Sequence, residues 1–253
     1  MLKKSFIALS FFASMSAFAN TQCPEFFVNG AEPLVSQANP IPLCFHEFAV
    51  AESVKYKTPI YSAEHLTYEQ IEAGGHISRK DAFHAENRLP DVAKALPTDY
   101  KRSGYDRGHM TPSRDASSAQ TQWETFSMAN MIPQAPDNNR KIWAGIEAAV
   151  RNIATSEGEV YVVTGPIYNQ NPKFLNNRIA VPGKIFKAVY IPKTQQAAAY
   201  LTNNNSSQDF AVISIAQLQT MTGFDPFPAL PTQIKQQVSP LPDPQSMIPH
   251  FND

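Results

Sequence analysis

The 253-residue chain carries 21 Lys and Arg against 22 Asp and Glu, a formal net charge of −1, with two cysteines and 43% hydrophobic residues. That balance excludes a protein that grips nucleic acid through a broad cationic face, which would show a positive excess. Any contact with a polyanion has to be local, made by a few well-placed arginines.

The first 19 residues hold Lys3 and Lys4, then the apolar run Phe6 to Ala13, then Ala17-Phe18-Ala19. A charged start, a short apolar run and an A-x-A site describe a secretory signal peptide, and the run is shorter than the ~20 residues a membrane span needs. The chain is therefore expected to be exported, to the periplasm or the medium, with the mature protein starting near Asn20. Without residues 1–19, which hold those two lysines and no acid, the formal charge falls from −1 to −3. Residues 20–253 are ample for a buried core, and no linker, repeat or charge block divides them, so they are read as a single domain. Cys23 and Cys44 most simply form one disulfide in an exported chain, closing a loop whose constraint stabilises by roughly 3 kcal/mol. A metal pair is the alternative, but no further cysteine or nearby histidine pair completes a zinc set.

In chain order, Leu43 to Phe45, Phe48 to Val50 and Thr58 to Tyr61 read as strands of an antiparallel hairpin or meander. His46 and His65 read as ordinary polar strand residues. Residues 74–100, broken by Gly74-Gly75, Pro90 and Pro97, read as a surface excursion. Within it Arg79 and Lys80 precede Phe83, cations ahead of an apolar anchor; folded over a site, Arg79 can reach a phosphate, and otherwise it is a solvated loop charge. Trp123 to Ile132 ends at Pro133-Gln134-Ala135-Pro136. Asp137-Asn138-Asn139 supplies caps for a helix expected near 139–156 and stopped by Gly158, with Ile142, Ile146, Ala149, Val150 and Ile153 at helical spacing. Residues 159–166 and 185–192 are the clearest strands. Phe210 to Ser214 precedes a helix over 215–222, Asn203 to Ser207 reads as a surface loop, and the proline-dense tail from Pro226 is expected to wrap the surface.

The segment Tyr105-Asp106-Arg107-Gly108-His109-Met110 sets a guanidinium and an imidazole on either side of one glycine, with carboxylates close by. It offers an anion-binding fork, a proton acceptor that titrates near neutral pH and a backbone position free to bend. Taken alone it also describes a polar turn. Downstream, Asn139, Glu147 and Arg151 fall within about 120° of arc on one helix, so they can serve one site. The same spacing describes a cap and an exposed Glu with its i+4 Arg partner.

Together, Asp106-Arg107-Gly108-His109, then Asn130-Met131-Ile132-Pro133-Gln134, then Asn139 with Trp143, Glu147 and Arg151 resemble the DNA/RNA non-specific endonuclease family, the ββα-metal nucleases that include the secreted Serratia-type enzymes. Val163-Thr164-Gly165-Pro166 is similar to a further strand of that family. The resemblance implies an α+β fold, a central antiparallel sheet flanked by helices, with a ββα-metal finger carrying the active site. It implies hydrolysis of DNA and RNA phosphodiesters without sequence selectivity, leaving 5′-phosphates. His109 would be the general base and Asn139 the single protein ligand of Mg²⁺ or Mn²⁺. Glu147 would hold a water beside the ion, Arg107 and Arg151 would hold phosphate, and Asn130 would shape the loop beside the histidine. Asp106 is implied as structural rather than as a ligand, and the additional phosphate contact falls to Arg79 or Lys80. The competing functions are an exported DNA- or polyanion-binding protein that does not cut, and a phosphodiesterase acting on a small nucleotide or lipid head group.

Overall fold

The computed structural model describes residues 22–35 and 39–248, so the expected signal peptide lies outside the described residues. Seven strands form one antiparallel sheet: β1 (Ile41–Cys44), β2 (Ala49–Glu52), β3 (Pro59–Thr67), β6 (Glu159–Ile167), β9 (Lys184–Ile191), β10 (Gln196–Asn203) and β11 (Phe210–Ile213), in the spatial order β1-β2-β3-β6-β9-β10-β11. The hairpin β4 (Asp106–His109) with β5 (Met131–Gln134) stands apart from it, as does the short pair β7 (Phe174–Leu175) and β8 (Ile179–Ala180). The helices are α1 (Tyr68–Gly74), α2 (Ala119–Thr125), α3 (Ala144–Glu157), α4 (Ile215–Thr222) and α5 (Thr232–Gln236).

Alternation along the strands gives the sheet two apolar faces. Val160, Val162, Ile185, Val189 and Tyr200 pack against Trp143, Ile146, Ala149, Val150 and Ile153, which puts α3 across one face. Ala63, Val163, Phe186, Ala188 and Ala199 pack on the other face against Phe26, Phe27, Ile215, Leu218 and Phe227. The Cys23–Cys44 disulfide is formed and pins the N-terminal segment to β1, with the two Cα atoms 6.0 Å apart.

The expected meander is β1-β2-β3. Several expectations need correction. Pro133 does not stop the preceding segment but sits within β5 opposite Arg107, because a two-stranded hairpin leaves an edge where the missing N–H is tolerated. The helix expected from 139 begins with a π-helical turn, Asn138–Trp143, before α3, and Asp137 makes no side-chain cap. The stop at Gly158 is as expected, with φ +96°. Residues 74–100 are not only a surface excursion, since Leu89, Ala93, Ala95 and Tyr100 are buried. His46 lies in a bend rather than a strand, with Nδ1 2.5 Å from Glu124; His65 is on β3, hydrogen-bonded to Glu159. The strand β10, absent from the sequence reading, is almost wholly buried.

Candidate active site

The hairpin β4-β5 and the start of α3 enclose a cleft of about 1090 Å³. His109, Arg107, Asn139, Glu147, Arg151 and Arg79 all line it; Lys80 does not. Three elements far apart in sequence thus bring the expected side chains to one place.

His109 ends β4 opposite Met131 and is 7% exposed. Its ring lies edge-on to Phe126, with centroids 4.8 Å apart, and 5.8 Å from Phe83. Phe83 in turn carries the Arg107 guanidinium 3.9 Å above its ring, and Phe126 carries that of Arg79 at 5.2 Å. Phe83 and Phe126 also touch each other, with centroids 4.9 Å apart, so the imidazole packs against a pair of phenyl rings, each capped by a guanidinium. Burial first, then the charges of Arg79 and Arg107, push its pKa down to about 3, which keeps the ring neutral. Nε2 is buried and without a partner among the described residues.

Asn139 spends its amide hydrogen on Asp106, with Nδ2 to Oδ2 at 2.9 Å, and thereby leaves its carbonyl oxygen Oδ1 for another partner. Arg140 binds the same carboxylate through Nε and Nη2 at 2.9 and 2.8 Å. Arg151 donates from Nη1 to Asp115 at 2.8 Å. Burial raises the Glu147 carboxyl to about 7, against the opposing pull of Arg151 and Lys187. Arg79 reaches Ser113 Oγ at 3.3 Å and pairs with Asp81 at 2.7 Å.

Asn130 does not line the cleft. It is fully buried: Oδ1 accepts from the Thr111 N–H at 3.0 Å, while Nδ2 donates to the Thr111 and Thr125 carbonyls at 2.8 and 2.9 Å. It therefore shapes the segment leaving His109 and touches nothing in the cleft. Gly108 is not the bend anticipated from the sequence, since it is not among the glycines with positive φ. A Cβ there would lie 2.0 Å from Gln134 Oε1 and 2.6 Å from Gln134 Cβ, so glycine is required by close approach.

The sequence reading missed Phe126, Arg140 and, beneath the cleft, Glu64, Asp115 and Lys187. Glu64 and Lys187 had a usable signal: each is a lone charge on a strand face whose neighbours two residues away include Leu66 in one case, and Ile185 and Val189 in the other. Arg140 had none, because an exposed helical arginine is ordinary.

Six cations line the cleft (Arg79, Lys101, Arg107, Arg114, Arg140 and Arg151) against the three carboxylates Asp81, Asp106 and Glu147. A chain with an acidic balance has concentrated positive charge at one site, which is the polarity an anionic substrate needs. As for a cation, among the described residues no three His, Cys, Asp or Glu side chains are arranged to hold one. Asn139 Oδ1 with the nearby Glu147 carboxyl is an all-oxygen set that fits a hard ion retaining most of its water.

A family model described as DNA/RNA non-specific endonuclease matches residues 30–233. A nuclease of Nostoc sp. is 32% identical over 169 residues, covering 60% of this chain and 61% of its own. The mitochondrial nuclease EXOG of Danio rerio is 31% identical over 210 residues, covering 74% of this chain and 60% of its own. The chain thus spans about three fifths of these curated relatives. Among solved structures, an EndoG/EndoGI complex superposes with a TM-score of 0.63 at 25% identity, covering 72% of this chain and 84% of that one. With the β4-β5 hairpin followed by α3, and with the family match covering most of its length, the chain belongs to the DNA/RNA non-specific endonuclease family.

Proposed function

We propose that the protein is an exported, metal-dependent endonuclease that hydrolyses DNA and RNA phosphodiesters with little sequence selectivity and leaves 5′-phosphates. The observation that carries this reading is the neutral, partly enclosed His109 facing a cleft rich in guanidinium groups, with Asn139 oriented by Asp106.

In this mechanism His109 takes a proton from a water in line with the scissile bond. The water oxygen bonds to phosphorus as the bond to the 3′ oxygen breaks, and that oxygen takes a proton from solvent. Arg107 and Arg79, stiffened by their phenyl rings, hold non-bridging phosphate oxygens, and Arg151 offers the guanidinium nitrogens not engaged by Asp115. Glu147 orients a water beside Asn139. Asn139 Oδ1 would hold a Mg²⁺ or Mn²⁺ ion, which would supply positive charge to stabilise the transition state. Contacts of this kind read phosphate rather than base edges, hence the low selectivity.

Export is supported by the disulfide and by the character of residues 1–19, and no described helix is long and apolar enough to cross a membrane. The reading is tested by incubating the protein with supercoiled plasmid and with RNA, with Mg²⁺ or with chelator. Nicking and RNA degradation only with the ion support it, and an intact plasmid in Mg²⁺ rejects it.

A further inference from the structure

Lys187 lies in the middle of β9, on the sheet face covered by α3, and is 1% exposed. Two residues away on that face are Ile185 and Val189, both 0% exposed. A buried ammonium in an apolar row is costly unless its donors are used. Its Nζ donates to Thr164 Oγ1 on the adjoining strand at 2.7 Å and to the Met110 carbonyl at 3.1 Å, and it lies 5.5 Å from the centre of the Trp143 ring.

Met110 is the residue after His109, and its own N–H donates to the Asn130 carbonyl at 3.0 Å. The peptide leaving the histidine is thus tied on one side to the Asn130 loop and on the other to the central sheet, the second tie being Lys187. Charged groups surround the same spot. Glu64 on β3 is 1% exposed with Oε2 unpartnered, and Asp115 is 2% exposed. Glu147 and Arg151 face them from α3, with Arg79 beyond. Burial raises both the Glu64 and Glu147 carboxyls, and Lys187 opposes the rise in each.

We propose that Lys187 is a positioning residue for the cleft's phosphodiester chemistry: its ammonium, held by Thr164 Oγ1, ties the His109 segment to the sheet through the Met110 carbonyl. The inference rests on the nuclease reading above. A lysine serving only the fold would lower stability on replacement, since a buried charge loses its partner, and would leave kcat of the folded fraction unchanged.

The test compares Lys187→Met and Thr164→Val with wild type by thermal unfolding and by kcat and KM on a fluorogenic oligonucleotide. For Lys187→Met, kcat falls about 10- to 100-fold, the size of loss that a displaced catalytic group gives. KM for the oligonucleotide holds, since Lys187 does not line the cleft. Thr164→Val lowers kcat in the same way by less. Wild-type kcat in Lys187→Met, or a fall in kcat matched by an equal rise in KM, overturns the inference; if Lys187→Met does not fold, wild-type kcat in Thr164→Val does so. His109→Ala in the same assays separates the two claims. An active His109→Ala removes the nuclease mechanism and this inference with it, whereas an inactive His109→Ala beside an unaffected Lys187→Met removes the inference alone.

Discussion

The Asp106 carboxylate accepts the Asn139 amide hydrogen at 2.9 Å, joining β4 to the π-helical turn across 33 positions of sequence. Asn139 Oδ1 is presented to the cleft because Nδ2 is held. Asp106→Ala is therefore expected to weaken the Mg²⁺ response of cleavage about 10- to 100-fold, and Asn139→Ala more severely. Titrating activity against Mg²⁺ for both variants checks this, and an unchanged midpoint in Asn139→Ala would remove it as ligand.

Gly108 and Gln134 are in contact across the hairpin, where a Cβ would fall 2.6 Å from Gln134 Cβ as well as meeting the amide. Both atoms cannot move aside together without shifting β5. Gly108→Ala is expected to destabilise by about 1–3 kcal/mol, the range for overpacking. Urea unfolding of Gly108→Ala, Gln134→Ala and the double variant should show strong coupling, with the double variant recovering part of the loss. Additive effects would mean that the contact is not the reason for glycine.

His109 carries a pKa lowered to about 3 in the folded chain, against about 6.5 when unfolded. Between those values the unfolded chain binds the extra proton and the folded chain does not. Its contribution therefore favours folding fully above pH 6.5 and is progressively lost as pH falls, by up to about 1.4 kcal/mol per pH unit. In chelator, the stability of wild type relative to His109→Gln should decline from pH 6.5 to pH 4. A flat difference across that range would contradict the burial assigned to the imidazole.

The Cys23–Cys44 bond ties the N-terminal segment, with Phe26 and Phe27 in the core, to the edge strand β1. Removing it should lower stability by about 3 kcal/mol, or roughly 6–12 °C in Tm for a chain of this size. A melt that does not shift in dithiothreitol would argue against the pairing.

The sequence made legible those parts whose physics is local. Richness in β-branched and aromatic residues marked β6 and β9, Thr58 to Tyr61 marked the start of β3, the 3.6-residue spacing of Ile142 to Ile153 marked α3, and Gly158 marked its end. β10 escaped because Ala197, Ala198 and Ala199 have no strand preference of their own and take their state from β9 and β11 on either side. At the site, the residues of the Asp106 to Met110 motif and of α3 were recognisable by type and spacing. The phenyl rings of Phe83 and Phe126 around His109, and the Asp115 partner of Arg151, depend on contacts 17 to 36 positions apart, so no periodicity carries them.

The most direct test of the account is single-turnover cleavage of a short duplex by His109→Ala beside wild type in saturating Mg²⁺, with duplex affinity measured in parallel in chelator. The expected rate is at least about 100-fold lower, the lower end of general-base contributions, with affinity unchanged. A wild-type rate in His109→Ala would contradict it.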